Sequence, residues 1–174
     1  MSSRIAGGLN HRLQEDDLED WGETMGSTLS NLVYHVIFST KDREPSIIPG
    51  FRDEVHRYMG GIIKGEGGIL LQIGGMPDHV HLVIKLKPVH ALAEIMRKLK
   101  GSSSKWINDQ NRLPGRFGWQ EGYGAFTVSE SLIPSVIRYV SEQEKHHRNL
   151  SFKDELIRIL ELNRVEYDER YLWT

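Results

Sequence analysis

Cysteine is absent from the 174 residues, which removes disulfides, thiolate metal sites and a cysteine nucleophile from consideration. Long apolar runs are missing too: none approaches the ~20 residues that a membrane-spanning helix requires. The N-terminus shows no basic stretch followed by an apolar core. A cytoplasmic protein with no membrane partner is the resulting expectation. An excess of one charge sign is also lacking, since the formal net charge is only −2. It is unevenly spread, however. Residues 1–24 carry two basic and six acidic residues, and the remaining 20 basic and 18 acidic residues give 25–174 a net of +2. That mild excess permits a local basic surface without requiring one.

What is present fits one soluble domain, with 39% hydrophobic and 26% charged residues. Residues 1–24 read as a disordered acidic extension and 25–174 as the domain. Asn31–Thr40, rich in β-branched and aromatic residues, reads as a strand. Apolar residues at 51, 55, 58, 59 and 62 have helical spacing. Ile69–Ile73 is a short strand that feeds a turn built from Gly74, Gly75, Pro77 and Asp78. A second helix carries Leu92, Ile95, Met96 and Leu99 inward, and Gly101 with three serines interrupts it. Phe117–Val128 is an aromatic, glycine-spaced strand with a bend. Leu132–His146 is a third helix, and Ser151 to Asp154 resembles a capping box opening a last one. The order predicts an α+β, ferredoxin-like sandwich: an antiparallel sheet with helices over one face and the site on the other, open side.

The strand after the turn is the informative stretch. His79, His81, Val83, Lys85 and Lys87 alternate with Val80, Leu82, Ile84 and Leu86, so two imidazoles project from one face. The pair by itself is as compatible with solvated histidines as with half a metal site. On the third helix, Gln143 falls within the stripe of Leu132, Ile133, Val136 and Val140, with Tyr139 one turn earlier beside it. A burial-seeking face that carries an amide must satisfy it. Two neutral imidazoles and an amide oxygen suit an open divalent site for magnesium or manganese. Tyr139 is then the natural nucleophile toward a phosphodiester held by that ion. The competing assignment makes Tyr139 an interface aromatic and Gln143 a surface amide.

His79-Val80-His81 and Tyr139-Val-Ser-Glu-Gln143 together resemble the single-tyrosine HUH (His-hydrophobic-His) transposases of the insertion sequence 200/605 group. The likeness runs from about Leu29 to Trp173. It includes Tyr34-His35-Val-Ile-Phe-Ser-Thr-Lys41, Pro77-Asp-His-Val-His81, Trp119-Gln-Glu-Gly-Tyr-Gly-Ala-Phe126, Gln143-Glu-Lys-His-His147 and Tyr167-Asp-Glu-Arg-Tyr-Leu-Trp173. The resemblance implies cleavage and rejoining of single-stranded DNA at element ends, through a covalent 5′-phosphotyrosine on Tyr139. It implies Mg2+ or Mn2+ on His79, His81 and Gln143, recognition of DNA hairpins, and a homodimer in which one subunit's tyrosine helix often serves the other. A non-catalytic single-strand binder and a phosphodiesterase that uses water are the competing functions. Each would leave Tyr139 idle.

Other residues carry less. Lys85, Lys87, Arg97, Lys98, Lys100 and Lys105 could neutralise phosphates as a cluster, and Lys41 joins Lys85, Lys98, Lys100 and Lys105 as a DNA-binding candidate. Trp119, Tyr123 and Phe126 could stack on bases, with core packing expected of at least two. His146 and His147 read as helix-end cations rather than ligands, and Asp78 as a turn residue rather than a partner to a ligand imidazole.

Overall fold

The structure, a computed structural model, describes residues 28–148, 150–170 and 172. The acidic extension expected over 1–24 lies outside the described residues. The elements are β1 (Leu32–Ser39), α1 (Pro49–Gly65), β2 (Ile69–Met76), β3 (His79–Leu86), α2 (Leu92–Asp109), β4 (Gly124–Thr127), α3 (Ile133–Ser141), α4 (Gln143–His146) and α5 (Phe152–Leu162). The strands form one antiparallel sheet in the order β2-β3-β1-β4. This is the split arrangement anticipated for a ferredoxin-like sandwich.

Alternation decides which side chains meet. Val36 and Phe38 of β1 and Val80, Leu82, Ile84 and Leu86 of β3 face one way. α1 covers them with Phe51, Val55, Met59 and Ile63, spaced four residues apart, and α2 with Ile95, Met96, Leu99 and Ile107. α2 runs unbroken through Gly101 and the serines, contrary to the expected interruption. Gly101 weakens a helix by ~1 kcal/mol, but Ser103 is buried, donates to the Leu99 carbonyl at 2.6 Å and accepts from Trp119 Nε1 at 2.9 Å. Tertiary contacts outweigh the local preference.

The opposite face is where expectation and structure part. It is not open: α3, α4 and α5 pack across it. The third helix is also not continuous over 132–146. It breaks at Glu142 (φ −105°, ψ 22°), so Gln143 starts a new short turn of helix. The expected strand 117–128 is reduced to Gly124–Thr127, preceded by a single bridge between Thr40 and Trp119. The β2–β3 turn is Pro77-Asp78 alone, and Gly74 and Gly75 belong to β2.

Those two glycines have work in the strand. A Cβ on Gly75 (φ +151°) would lie 2.2 Å from the His79 carbonyl oxygen. A Cβ on Gly74 would lie 2.0 Å from the Val140 carbonyl oxygen. Only a hydrogen at position 74 lets the end of α3 rest directly on the sheet, which sets how near Tyr139 comes to β3. Gly74→Ala is expected to destabilise by about 1–3 kcal/mol and to push α3 outward. Thermal unfolding with a Tyr139-specific readout checks this, and unchanged stability with unchanged Tyr139 environment would contradict it.

Candidate metal and nucleophile site

β1 and β3 pair so that Ile37 lies opposite His81 and Ser39 opposite His79. Both histidines are fully buried (0% exposed) rather than solvent-facing as alternation alone suggested. Phe152 of α5 stacks on the His79 ring at 4.2 Å between centroids. Asp78, read from the sequence as a turn residue, also partners the neighbouring histidine: its Oδ1 lies 2.7 Å from His79 Nδ1. Burial pushes the Asp78 carboxyl up, but its bond and charge contact with His79 outweigh this and leave it below its ordinary range. On the other side, His35 of β1 stacks on His81, with His35 Nε2 3.0 Å from His81 Nδ1. Burial, reinforced by His81, lowers His35 to about 3, so that ring is neutral.

Two further groups complete the cluster: Glu155, which the sequence reading passed over, and His147, which it set aside as a helix-end cation. Glu155, one turn into α5, is 1% exposed. Its Oε2 lies 2.9 Å from His147 Nε2, 3.3 Å from His81 Nε2 and 3.6 Å from His79 Nε2. Its Oε1 accepts hydrogen bonds from Gln143 Nε2 at 3.1 Å and from the Tyr139 hydroxyl. Burial opposes the Glu155 charge, but contacts with His81, Tyr139 and His79 outweigh it and hold the carboxyl well below its usual range. His147, read as a helix-end cation, is partly buried beside it, whereas His146 is exposed and lies against the Tyr139 ring at 4.7 Å. Among the described residues, His79, His81, His147 and Glu155 offer ligand atoms within 4.8 Å of one another.

The cluster has unmet bonding capacity. Nε2 of His79, Nε2 of His81 and the amide oxygen of Gln143 are buried without a hydrogen-bond partner. Such groups cost about 1–3 kcal/mol each when left unpaired. A divalent cation among His79, His81, His147 and Glu155 would satisfy the two imidazole nitrogens, so the residues present fit a metal. Tyr139 is half-buried, with its ring 5.9 Å from that of His81 of the same chain. Burial and the Glu155 carboxylate raise its pKa above the ordinary phenol value, so the resting side chain is protonated. A cleft of about 600 Å³, lined by Gln143, Val140, Gly74, Arg52 and His56 among others, opens beside the cluster.

The lysines do not gather here. Lys98, Lys100 and Lys105 all sit on α2, across the sheet from the histidines. Lys98 donates to Glu66 at 2.5 Å, and Lys100 to the carbonyls of Gln120 (2.5 Å) and Gly122 (2.6 Å). Lys41 is exposed in a short 3-10 turn, Lys85 shares the strand face of His79 and His81, and Lys87 lies just past the end of β3. Trp119 and Phe126 are buried in the core, and Tyr123 is 38% exposed.

Known proteins are similar to this chain in sequence and fold. The chain is 27% identical over 117 residues to the ISDra2 transposase TnpA of Deinococcus radiodurans, covering 64% of this chain and 84% of that one. It is 26% identical over 140 residues to the transposase for insertion sequence element IS200 of Salmonella typhimurium, covering 74% and 90%. A crystal structure described as a transposase from Deinococcus radiodurans R1 superposes with a TM-score of 0.57 at 26% identity, over 70% of this chain and 97% of that one. A REP-associated tyrosine transposase solved bound to a REP hairpin shares the fold, with a TM-score of 0.53 at 11% identity over 72% and 73% of the two chains. The family model described as "Transposase IS200 like" matches residues 28–143, a segment that runs from before β1 to Gln143, and the chain belongs to that family of IS200-like transposases.

Proposed function

We propose that this protein cuts and rejoins single-stranded DNA at hairpin-bearing element ends, with Tyr139 as nucleophile and a divalent cation held by His79, His81 and Gln143. The observation that carries this reading is that Glu155, within reach of the unpartnered His79 and His81 nitrogens, also accepts from the Tyr139 hydroxyl and the Gln143 amide in one buried cluster. A cation satisfies such unpaired imidazole nitrogens, and a cation beside a phenol suits attack of that phenol on a phosphodiester. A bound ion would polarise the scissile phosphate and offset charge on its non-bridging oxygens.

The chain's own residues do the rest. β3 fixes the two imidazoles by its pairing with β1 and β2, and α3 brings Tyr139 against them through the close approach at Gly74. In the reaction a bond forms from Tyr139 Oη to phosphorus as the P–O3′ bond breaks. The products are a 5′-phosphotyrosine and a 3′-hydroxyl, to which the phenolic proton passes overall. The reverse attack by a 3′-hydroxyl rejoins strands, and because one phosphodiester replaces another, no nucleoside triphosphate is consumed. The hydrogen bond from Tyr139 to Glu155 must open or reorganise as phosphate enters. Lys85, on the face of the histidines, is the best placed of the sequence candidates to meet DNA backbone. A dimer remains part of the proposal, although here Tyr139 reaches the histidines of its own chain.

Incubation with single-stranded hairpin DNA and Mn2+, followed by intact mass measurement, tests the proposal. A species heavier by the 5′-phosphorylated product strand is expected. Cleaved DNA without that species would instead indicate hydrolysis by water.

A further inference from the structure

Resting on that metal reading, we propose that Glu155 and His147 join His79, His81 and Gln143 in the ion's shell, making a centre of three imidazoles, one carboxylate and one amide that takes Mn2+ or a similar transition ion in preference to Mg2+. Neither Glu155 nor His147 falls within the segment 28–143 that the family model matches. Both come from the C-terminal part that folds back over the sheet.

The orientations of the rings point to this shell. Asp78 Oδ1 lies 2.7 Å from His79 Nδ1, and a carboxylate oxygen only accepts, so that nitrogen carries the hydrogen. The Leu150 carbonyl oxygen, 2.8 Å from His147 Nδ1, accepts a hydrogen bond from that ring in the same way. His81 Nδ1 is engaged by the neutral His35 at 3.0 Å. Each ring is thereby oriented from behind, as ligand imidazoles generally are. All three turn Nε2 toward one oxygen, Glu155 Oε2, at 2.9, 3.3 and 3.6 Å. At 2.9 Å His147 Nε2 is within hydrogen-bond distance of that oxygen, and a cation seated among the four groups would engage all of them. Two of those nitrogens have no hydrogen bond at all.

The donor types then select the ion. Magnesium prefers oxygen ligands and retains water, whereas imidazole-rich shells favour manganese and the later first-row ions. Glu155 also accepts from the Tyr139 hydroxyl through its other oxygen. The same carboxylate would therefore link ion and nucleophile, positioning one relative to the other.

The test uses the full chain without DNA, titrated with Mn2+ alone and followed by calorimetry and electron paramagnetic resonance. One ion per chain is expected. Glu155→Gln and His147→Gln should each weaken binding at least about tenfold, with Mg2+ competing only at far higher concentration. Pulsed resonance on the wild type should show three imidazole nitrogens coupled to manganese, a readout that needs no variant to fold. Two couplings, wild-type affinity in both variants while His81→Gln loses binding, equal preference for Mg2+, or no binding without DNA would each overturn the proposal. The tyrosyl–DNA adduct is measured separately, so loss of this shell and loss of the transferase reading are distinguishable.

Discussion

Tyr139→Phe is expected to abolish the covalent protein–DNA species while hairpin binding persists. Phenylalanine keeps the ring that lies 6.1 Å from His35, 5.9 Å from His81 and 4.7 Å from His146, so packing changes little. It removes only the oxygen that would bond to phosphorus. The hydrogen bond to Glu155 goes with it, at a stability cost of about 1–2 kcal/mol. Loss of the nucleophile has no partial form in a mass spectrum: the adduct is present or absent. Undiminished adduct from this variant would transfer the chemistry to another side chain and end the assignment.

His81→Ala should produce two losses at once. Cleavage should fall at least a thousandfold, corresponding to about 4 kcal/mol of transition-state stabilisation, if the imidazole holds the ion. The protein should also become less stable, because His81 is fully buried against His35 and Glu155. Removing the ring leaves a void between His35 and Glu155, at about 2–3 kcal/mol. For a chain of this size that is roughly a 5–10 °C drop in Tm. An open strand face would have made this a purely functional substitution, and the burial makes it a structural one as well. His81→Gln, which fills more of the space, separates the two effects. Full metal-dependent cleavage by a folded His81→Gln protein would remove the imidazole from the mechanism.

Glu155, which the sequence reading passed over, and His147, which it set aside as a helix-end cation, differ in how visible they were. Glu155 sits at the third position after Phe152 and directly before Leu156, inside the stripe of Phe152, Leu156, Ile159 and Leu160. A carboxylate in an apolar stripe must find a partner when buried, the same reasoning that singled out Gln143. The signal was there in the helical spacing. His147 had no such mark. It is placed by the break at Glu142 and by the Leu150 carbonyl that holds its ring, and neither follows from local pattern. The unbroken α2 and the strand membership of Gly74 and Gly75 were hidden for a related reason. Glycine reads as punctuation until the structure shows what approaches it.

The sequence by itself determined the sheet, the alternation that puts His79 and His81 on one face and Val80, Leu82 and Ile84 on the other, and the motifs that mark the family. Periodicity is local, and a two-residue repeat survives any tertiary environment. Only the tertiary structure decided that the histidine face is sealed rather than open, that α5 delivers a carboxylate into the cluster, and that the lysines of α2 lie across the sheet. Those outcomes depend on which helix docks on which face, through contacts such as Val140 on Gly74 and Phe152 on His79. Such contacts join residues 60 or more positions apart in the chain, a distance over which hydrophobic patterning carries no information.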